Sequence, residues 1–160
     1  MQSTIYTSQC PGIAGDAFDA SPRRALSVQV VPNTSNLPTV GNYCTFVSAG
    51  SNPSIVQPGG TGTLAGLLVN GKEYVRQGLG ATMTVSSGAV VAVADMGRYW
   101  IKAENAVTVG NVAAFDSATG AISAFATAAV ASSGGKVVIP NAKFVAVNAT
   151  SGGMAVLELN

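Results

Sequence analysis

Histidine is absent from this 160-residue sequence, and with it the commonest general base and any conventional Ser-His-Asp or Cys-His arrangement. Catalysis would have to rest on carboxylates or lysine. Charge is almost as scarce, at 9% of residues against about 25% in ordinary soluble domains. The few carboxylates do not pair: Asp16 and Asp19 lie in a Pro- and Gly-interrupted opening stretch, Asp95 and Asp116 sit at turns, and Glu73 and Glu104 flank strand-like runs. Asp95 and Asp116 read as turn residues whose side chains bond nearby backbone amides. A net charge of +1, with eight basic residues spread along the chain, gives no stripe on which a nucleic acid could be held.

Other absences narrow the choice further. Two cysteines, Cys10 and Cys44, read as free thiols, and a zinc site would have to borrow carboxylates. No metal and no cofactor are expected. The segment Gly59-Gly60-Thr61-Gly62 is not followed by Lys-Ser or Lys-Thr, which excludes a phosphate loop. No apolar run approaches the roughly twenty residues needed to cross a bilayer, and Met1 to Gln9 lacks the apolar core of a signal peptide. The expectation is a protein made in the cytoplasm that stays soluble or leaves by a route needing no such segment, so the glycosylation triplets at Asn33 and Asn148 carry no weight.

What is present is apolar: 48% of the residues are hydrophobic, and the surface must be built from Ser, Thr, Asn and Gly. A chain of this kind is expected to associate with partners or with copies of itself; a compact monomer covered in hydroxyls is the alternative. The apolar residues have the two-residue period of strands. Ala25–Val31 and Tyr43–Val47 alternate cleanly, Leu64–Val69 leads into a central stretch, and Ser48 to Gly62 reads as a long turn-rich loop. In the central stretch, Val69 to Lys102, Tyr74 and Val75 and then Met83 and Val85 suggest a hairpin series. Ala89–Ala94 suggests a strand buried on both faces and ended by Asp95, Met96 and Gly97. Asp116 to Gly120 joins two short runs as a hairpin in which a type I turn precedes a residue with positive φ. Thr127, Val130 and the Ser-Ser-Gly-Gly stop weigh against a helix over 124–133. Lys136–Ile139, Lys143–Val147 and Met154–Leu159 read as closing strands, the first two split by Pro140-Asn141. Together these predict an all-β protein: an antiparallel β-sandwich or small barrel over residues 25–160, possibly two small β modules, preceded by an extended N-terminal arm over residues 1–24.

The arm has apolar residues at irregular spacing and several Pro and Gly, so it fits neither helix nor strand. Its scattered Ile and Phe need pockets on another surface, which makes Ile13 and Phe18 candidate anchors on a neighbouring subunit or a larger partner. Tyr99 with Trp100 either closes the end of a β core or forms a sugar-stacking platform.

The order of features resembles the structural cement, or capsid decoration, proteins of tailed bacteriophages. The likeness runs through IYTSQCPGIAGDAFDASPRR, VGNYCTFV, KEYVRQGLGATMTVSSGAVVAVADMGRYWIK and VGNVAAFDSATGAI, and spans most of the chain. The resemblance implies a non-enzymatic protein on the outside of an icosahedral head, bound to the major capsid protein, reinforcing the shell as a homo-oligomer, often a trimer. Its location would be the virion. It implies partner-interface roles for Tyr6, Gly15, Asp16, Pro22 and Arg23; Cys10 departs from the family's opening pattern. The competing reading is a carbohydrate-binding β module displayed on the virion for host adhesion.

Overall fold

The computed structural model describes residues 12–32, 35–47, 54–71 and 83–160. Its elements are β1 (Arg24–Val30), β2 (Tyr43–Phe46), β3 (Ile55–Pro58), β4 (Leu64–Leu68), β5 (Val90–Lys102), β6 (Val112–Phe115), β7 (Ile122–Phe125), a short helix α1 (Ala128–Ser133), β8 (Val137–Val145) and β9 (Met154–Leu159). One sheet runs β1-β3-β2-β4-β5-β9-β8-β6-β7, and β1 also pairs with β5. That extra pairing closes β1, β3, β2, β4 and β5 into a five-stranded barrel. Of the two all-β architectures expected, the barrel is the one formed, and its β1 and β3 run parallel, Gln29 with Ile55 and Val30 with Val56.

The longest strand, β5, organises both halves. Its first part pairs with β1 on one side and β4 on the other. From Gly97 onward it pairs with β9, and the sheet continues through β8 and β6 to β7, which returns to the end of β5 through a parallel bridge between Ala103 and Ile122. Val28, Val30, Val56, Leu68, Val91 and Val93 fill the barrel interior. A second core, with Phe115, Ile122, Phe144 and Leu157, lies against the outer faces of the barrel strands and takes in Tyr43, Leu67 and Ala94. Tyr43 stacks on Phe115 with ring centroids 4.9 Å apart, so one aromatic pair ties the halves together.

Several local expectations are corrected. The strand expected to end at Asp95-Met96-Gly97 continues to Lys102, because those residues form a bulge: Ala25 faces Ala94 and Arg24 faces Met96, leaving Asp95 extra. Gly97, at φ +123°, carries the chain past it. Nor is this run buried on both faces, since Val90 is 51% exposed. Pro140-Asn141 likewise bulges within β8 rather than splitting it. Val112 pairs with Lys143 and Ala114 with Val138, so the intervening residues of β8 have no one-to-one partners. The presumed loop 48–62 contains β3, four residues that follow Pro53 and end on Pro58, and these prolines mask the strand signal. A helix does form over Ala128–Ser133: Thr127 caps it, its hydroxyl accepting from the Val130 amide, and the glycines end it. In the expected hairpin series, Tyr74 and Val75 lie outside the described residues. Met83 to Val85 forms only a bridge to the Pro38–Val40 segment.

The Asp116–Gly120 hairpin is as anticipated. The Asp116 carboxylate accepts from the amides of Ala118 at 2.8 Å and Thr119 at 3.1 Å, and Gly120 has φ +74°.

Cys44 is a free thiol, fully buried in the barrel, and burial pushes its pKa up to about 12. The thiolate is the reactive form. In a Cys10→Ser variant, a thiol reagent at pH 8 is therefore expected to leave the native protein unlabelled and to modify Cys44 stoichiometrically after denaturation. Rapid native labelling would show that the barrel opens readily.

Candidate functional site

The second half of β5 would have a bare edge opposite β9, and the arm covers it. The Gly15 amide donates to the Trp100 carbonyl (2.7 Å), the Trp100 amide to the Asp16 carbonyl (2.9 Å), and the Phe18 amide to the Arg98 carbonyl (2.8 Å). These bonds make residues 15–18 a short added strand, which removes an edge that could otherwise template association. Side chains reinforce it. Successive strand residues face opposite sides, so Tyr99 enters the second core while Trp100 points toward the arm. There Phe18 meets the indole edge-on, with centroids 5.3 Å apart and planes at 71°, and Gly12 lies so close to the ring that a Cβ would overlap it. Asn70 donates to the Asp16 carboxylate at 2.9 Å. Arg98 joins Asp19 of the arm (3.1 Å) to Glu158 of β9 (3.0 Å).

The residues nominated from the sequence are therefore distributed unevenly. Gly15, Asp16 and Arg23 line one polar cleft of about 530 Å³ together with Asn70 and Tyr99. Ile13, half exposed, lines a separate, largely apolar groove of about 450 Å³ with Val40, Met83 and Met154. Phe18 is half buried against Trp100 of its own chain, and Pro22 is exposed. Tyr6 lies outside the described residues. The sugar-platform reading of Tyr99 and Trp100 is corrected: the rings are only 4% and 8% exposed and lie on opposite faces of β5. Sequence reasoning missed Trp100 as the floor of the arm. The only sequence signal was the adjacency of two large aromatics in a strand, which obliges one of them to face away from the core.

The acidic groups are already committed. Five of the six described carboxylate side chains are in ion pairs: Asp95 with Arg24, Asp19 and Glu158 with Arg98, and Glu104 and Asp116 with Lys136. The sixth, Asp16, holds Asn70. Asp95 thus differs from the turn role expected of it: it sits at the bulge and binds Arg24. Among the described residues no cluster of three or more His, Cys, Asp or Glu could hold a metal. Among the described residues, too, no helix is long and apolar enough to span a membrane. The arrangement offers surfaces for adhesion.

Lys136 and the amides of Ala118 and Thr119 hold the Asp116 carboxyl below its ordinary 3.8, and Asn160 with Arg98 does the same for Glu158, ordinarily 4.5. A carboxyl depressed in the folded state contributes stability that is present above its unfolded pKa and lost as pH falls through the folded one. The thermal midpoint is expected to hold steady above about pH 5 and to fall from pH 4 toward pH 2. Asp116→Asn should make that fall shallower; an unchanged slope would remove Asp116 from the account.

The model of the family described as structural cement protein (E217 gp24/Pam3 gp6) matches residues 1–160. The chain belongs to this phage structural cement family. Membership makes it a structural component of the phage capsid and places it in the virion, as the resemblance of its arm and hairpin blocks implied. A solved structure, "The capsid of Myoviridae Phage XM1", contains a chain of similar fold: TM-score 0.68 at 15% identity, covering 100% of the cement protein and 97% of that chain. At that identity the likeness speaks for the fold. No curated protein matches the cement protein.

Proposed function

We propose that this protein decorates the outer surface of the phage head, bound to the lattice of the major capsid protein, and reinforces the shell against the pressure of packed DNA. It acts without catalysis, as a homo-oligomer with a trimer favoured, after synthesis in the host cytoplasm. The observation that carries this reading, given the family, is the arm on β5. Every named strand has a neighbour on each side, β7 through Ala103 and the Asn105 side chain. The frame is therefore closed, and its adhesive features gather around residues 12–23. Residues 1–24 serve as the attaching arm and residues 25–160 as the rigid β body. Tyr6, Ile13, Gly15, Asp16, Phe18, Pro22 and Arg23 form or support the interface, Ile13 by its exposed side chain and Phe18 by fixing the arm on Trp100. Weak contacts suffice, because an oligomer engaging two or three sites multiplies their effect through effective concentration.

Purified heads stripped of the protein should bind it back in co-sedimentation, to saturation, and a chain lacking residues 1–23 should bind markedly less. No sedimentation of the intact protein with heads would defeat the proposal; undiminished binding of the shortened chain would remove the arm from it.

A further inference from the structure

Among the chain's asparagines only Asn70 is followed by glycine, and this pair sits where the arm meets the body. An asparagine before glycine is the sequence most open to attack on its own side chain, because the next residue has no Cβ to shield its backbone nitrogen or to restrict its approach. The arm holds Asn70 at two points. The Asn70 backbone amide donates to the Gly15 carbonyl at 3.1 Å, and its side-chain amide donates to the Asp16 carboxylate at 2.9 Å. Gly15, at φ +80°, lies so near that a Cβ would come within 2.8 Å of the Asn70 nitrogen. Gly15, Asp16 and Asn70 also share the wall of the polar cleft of about 530 Å³, so water has access to the half-buried Asn70.

We propose that Asn70 is a deamidation site guarded by the docked arm, and that its conversion to aspartate or isoaspartate irreversibly loosens the arm. The Gly71 amide nitrogen attacks Asn70 Cγ and the Cγ–Nδ2 bond breaks. The Gly71 proton leaves with Nδ2 as ammonia, and water opens the resulting succinimide at either carbonyl. Water is consumed and ammonia released, with no other reactant. A residue held at both its backbone and its side chain has little freedom to reach the attacking geometry, so docking slows the reaction. The reaction in turn opposes docking. A carboxylate then stands where a donor stood, facing Asp16 at hydrogen-bond distance, and two carboxylates so placed repel unless one takes up a proton. Arg23 lines the same cleft and can draw the new charge toward itself, but it cannot restore the bond to Asp16. None of this depends on what the arm binds, so it stands apart from the capsid-binding reading.

The test uses the full chain in a Cys10→Ser background. The parent and an Asp16→Ala variant are held at pH 8, and position 70 is followed by peptide mapping with mass spectrometry. Asn70 should be the first asparagine of the chain to convert. It should convert roughly tenfold faster without Asp16, the factor that a hydrogen bond to a charged group is worth, while Cys44 stays closed to thiol reagent, which shows an intact fold. Asn70→Asp, made directly, should be cut by trypsin after Arg23 several-fold faster than the parent. Adding Asp16→Asn to Asn70→Asp exchanges donor and acceptor and should return cleavage to the parental rate. No conversion at position 70 in either chain, equal conversion rates, parental trypsin resistance of Asn70→Asp, or failure of the exchange to restore it would each overturn the proposal. The trypsin arm needs neither Asp16→Ala nor any binding partner, so it decides the matter even if that variant does not fold.

Discussion

Replacing Trp100 with alanine is expected to cost about 3–5 kcal/mol of folding stability, a drop in thermal midpoint of roughly 10 °C for a chain of this size. The indole is 8% exposed, held between the Phe18 ring and Gly12 on one face of β5. Its removal leaves a void that the rigid barrel beside it cannot fill. The same change loosens the arm, because the remaining polar contacts of residues 12–19 with the body are four backbone bonds, the Asn70–Asp16 bond and the partly exposed Arg98–Asp19 pair, the last worth about 1 kcal/mol or less. Trypsin should then cut faster after Arg23, which is exposed and lies next to Arg24, itself tied to Asp95. Trp100→Phe, which keeps a ring under Phe18, should lose much less. Similar trypsin kinetics for Trp100→Ala and the parent would mean that the indole does not hold the arm.

Gly66→Val is the second large expected loss. Gly66 lies in β4 opposite Cys44, beside a register shift in β2, with φ +143°. A Cβ there would come within 2.8 Å of the Ala94 carbonyl carbon in β5. Backbone strain at such a φ costs about 1–3 kcal/mol, and forcing apart a packed pair of strands a further 1–3 kcal/mol. The sum, about 2–6 kcal/mol, is a large part of a typical domain's stability of about 5–15 kcal/mol. Gly88→Ala separates the two terms, since Gly88 has φ +75° but nothing within 4 Å of a Cβ; it should cost only about 1 kcal/mol. Equal losses in urea unfolding for the two variants would mean that β4 and β5 do not approach so closely.

Much of the fold can be read along the chain where the signal is local. The alternation in β1 and β2 and the Asp-to-Gly hairpin between β6 and β7 come from side-chain period and turn chemistry within a few residues. Asp95-Met96-Gly97 and Pro140-Asn141 misled because a bulge uses the same residue types as a turn, and only the partner strand tells them apart. β3 was hidden because Ile55 and Val56 stand alone among prolines. The candidate site shows the same division. The scattered apolar residues of the arm and its resemblance to the family's opening pattern pointed to residues 6–23 as an interface. The docking of Gly15 to Phe18 on Arg98 to Trp100 joins segments about eighty residues apart, and no local pattern announces it. Ile13 and Phe18, which look alike as anchors in the sequence, part company for that reason: one is turned outward and the other spent on Trp100.

The central claim is that this chain strengthens a phage head. It is tested most directly by heating DNA-filled heads, stripped of the protein and then rebuilt with it, and following DNA release with a dye that the intact shell excludes. The account predicts release at a clearly higher temperature for rebuilt heads, with the gain rising as the sites fill. Release at the same temperature from stripped and saturated heads would contradict it.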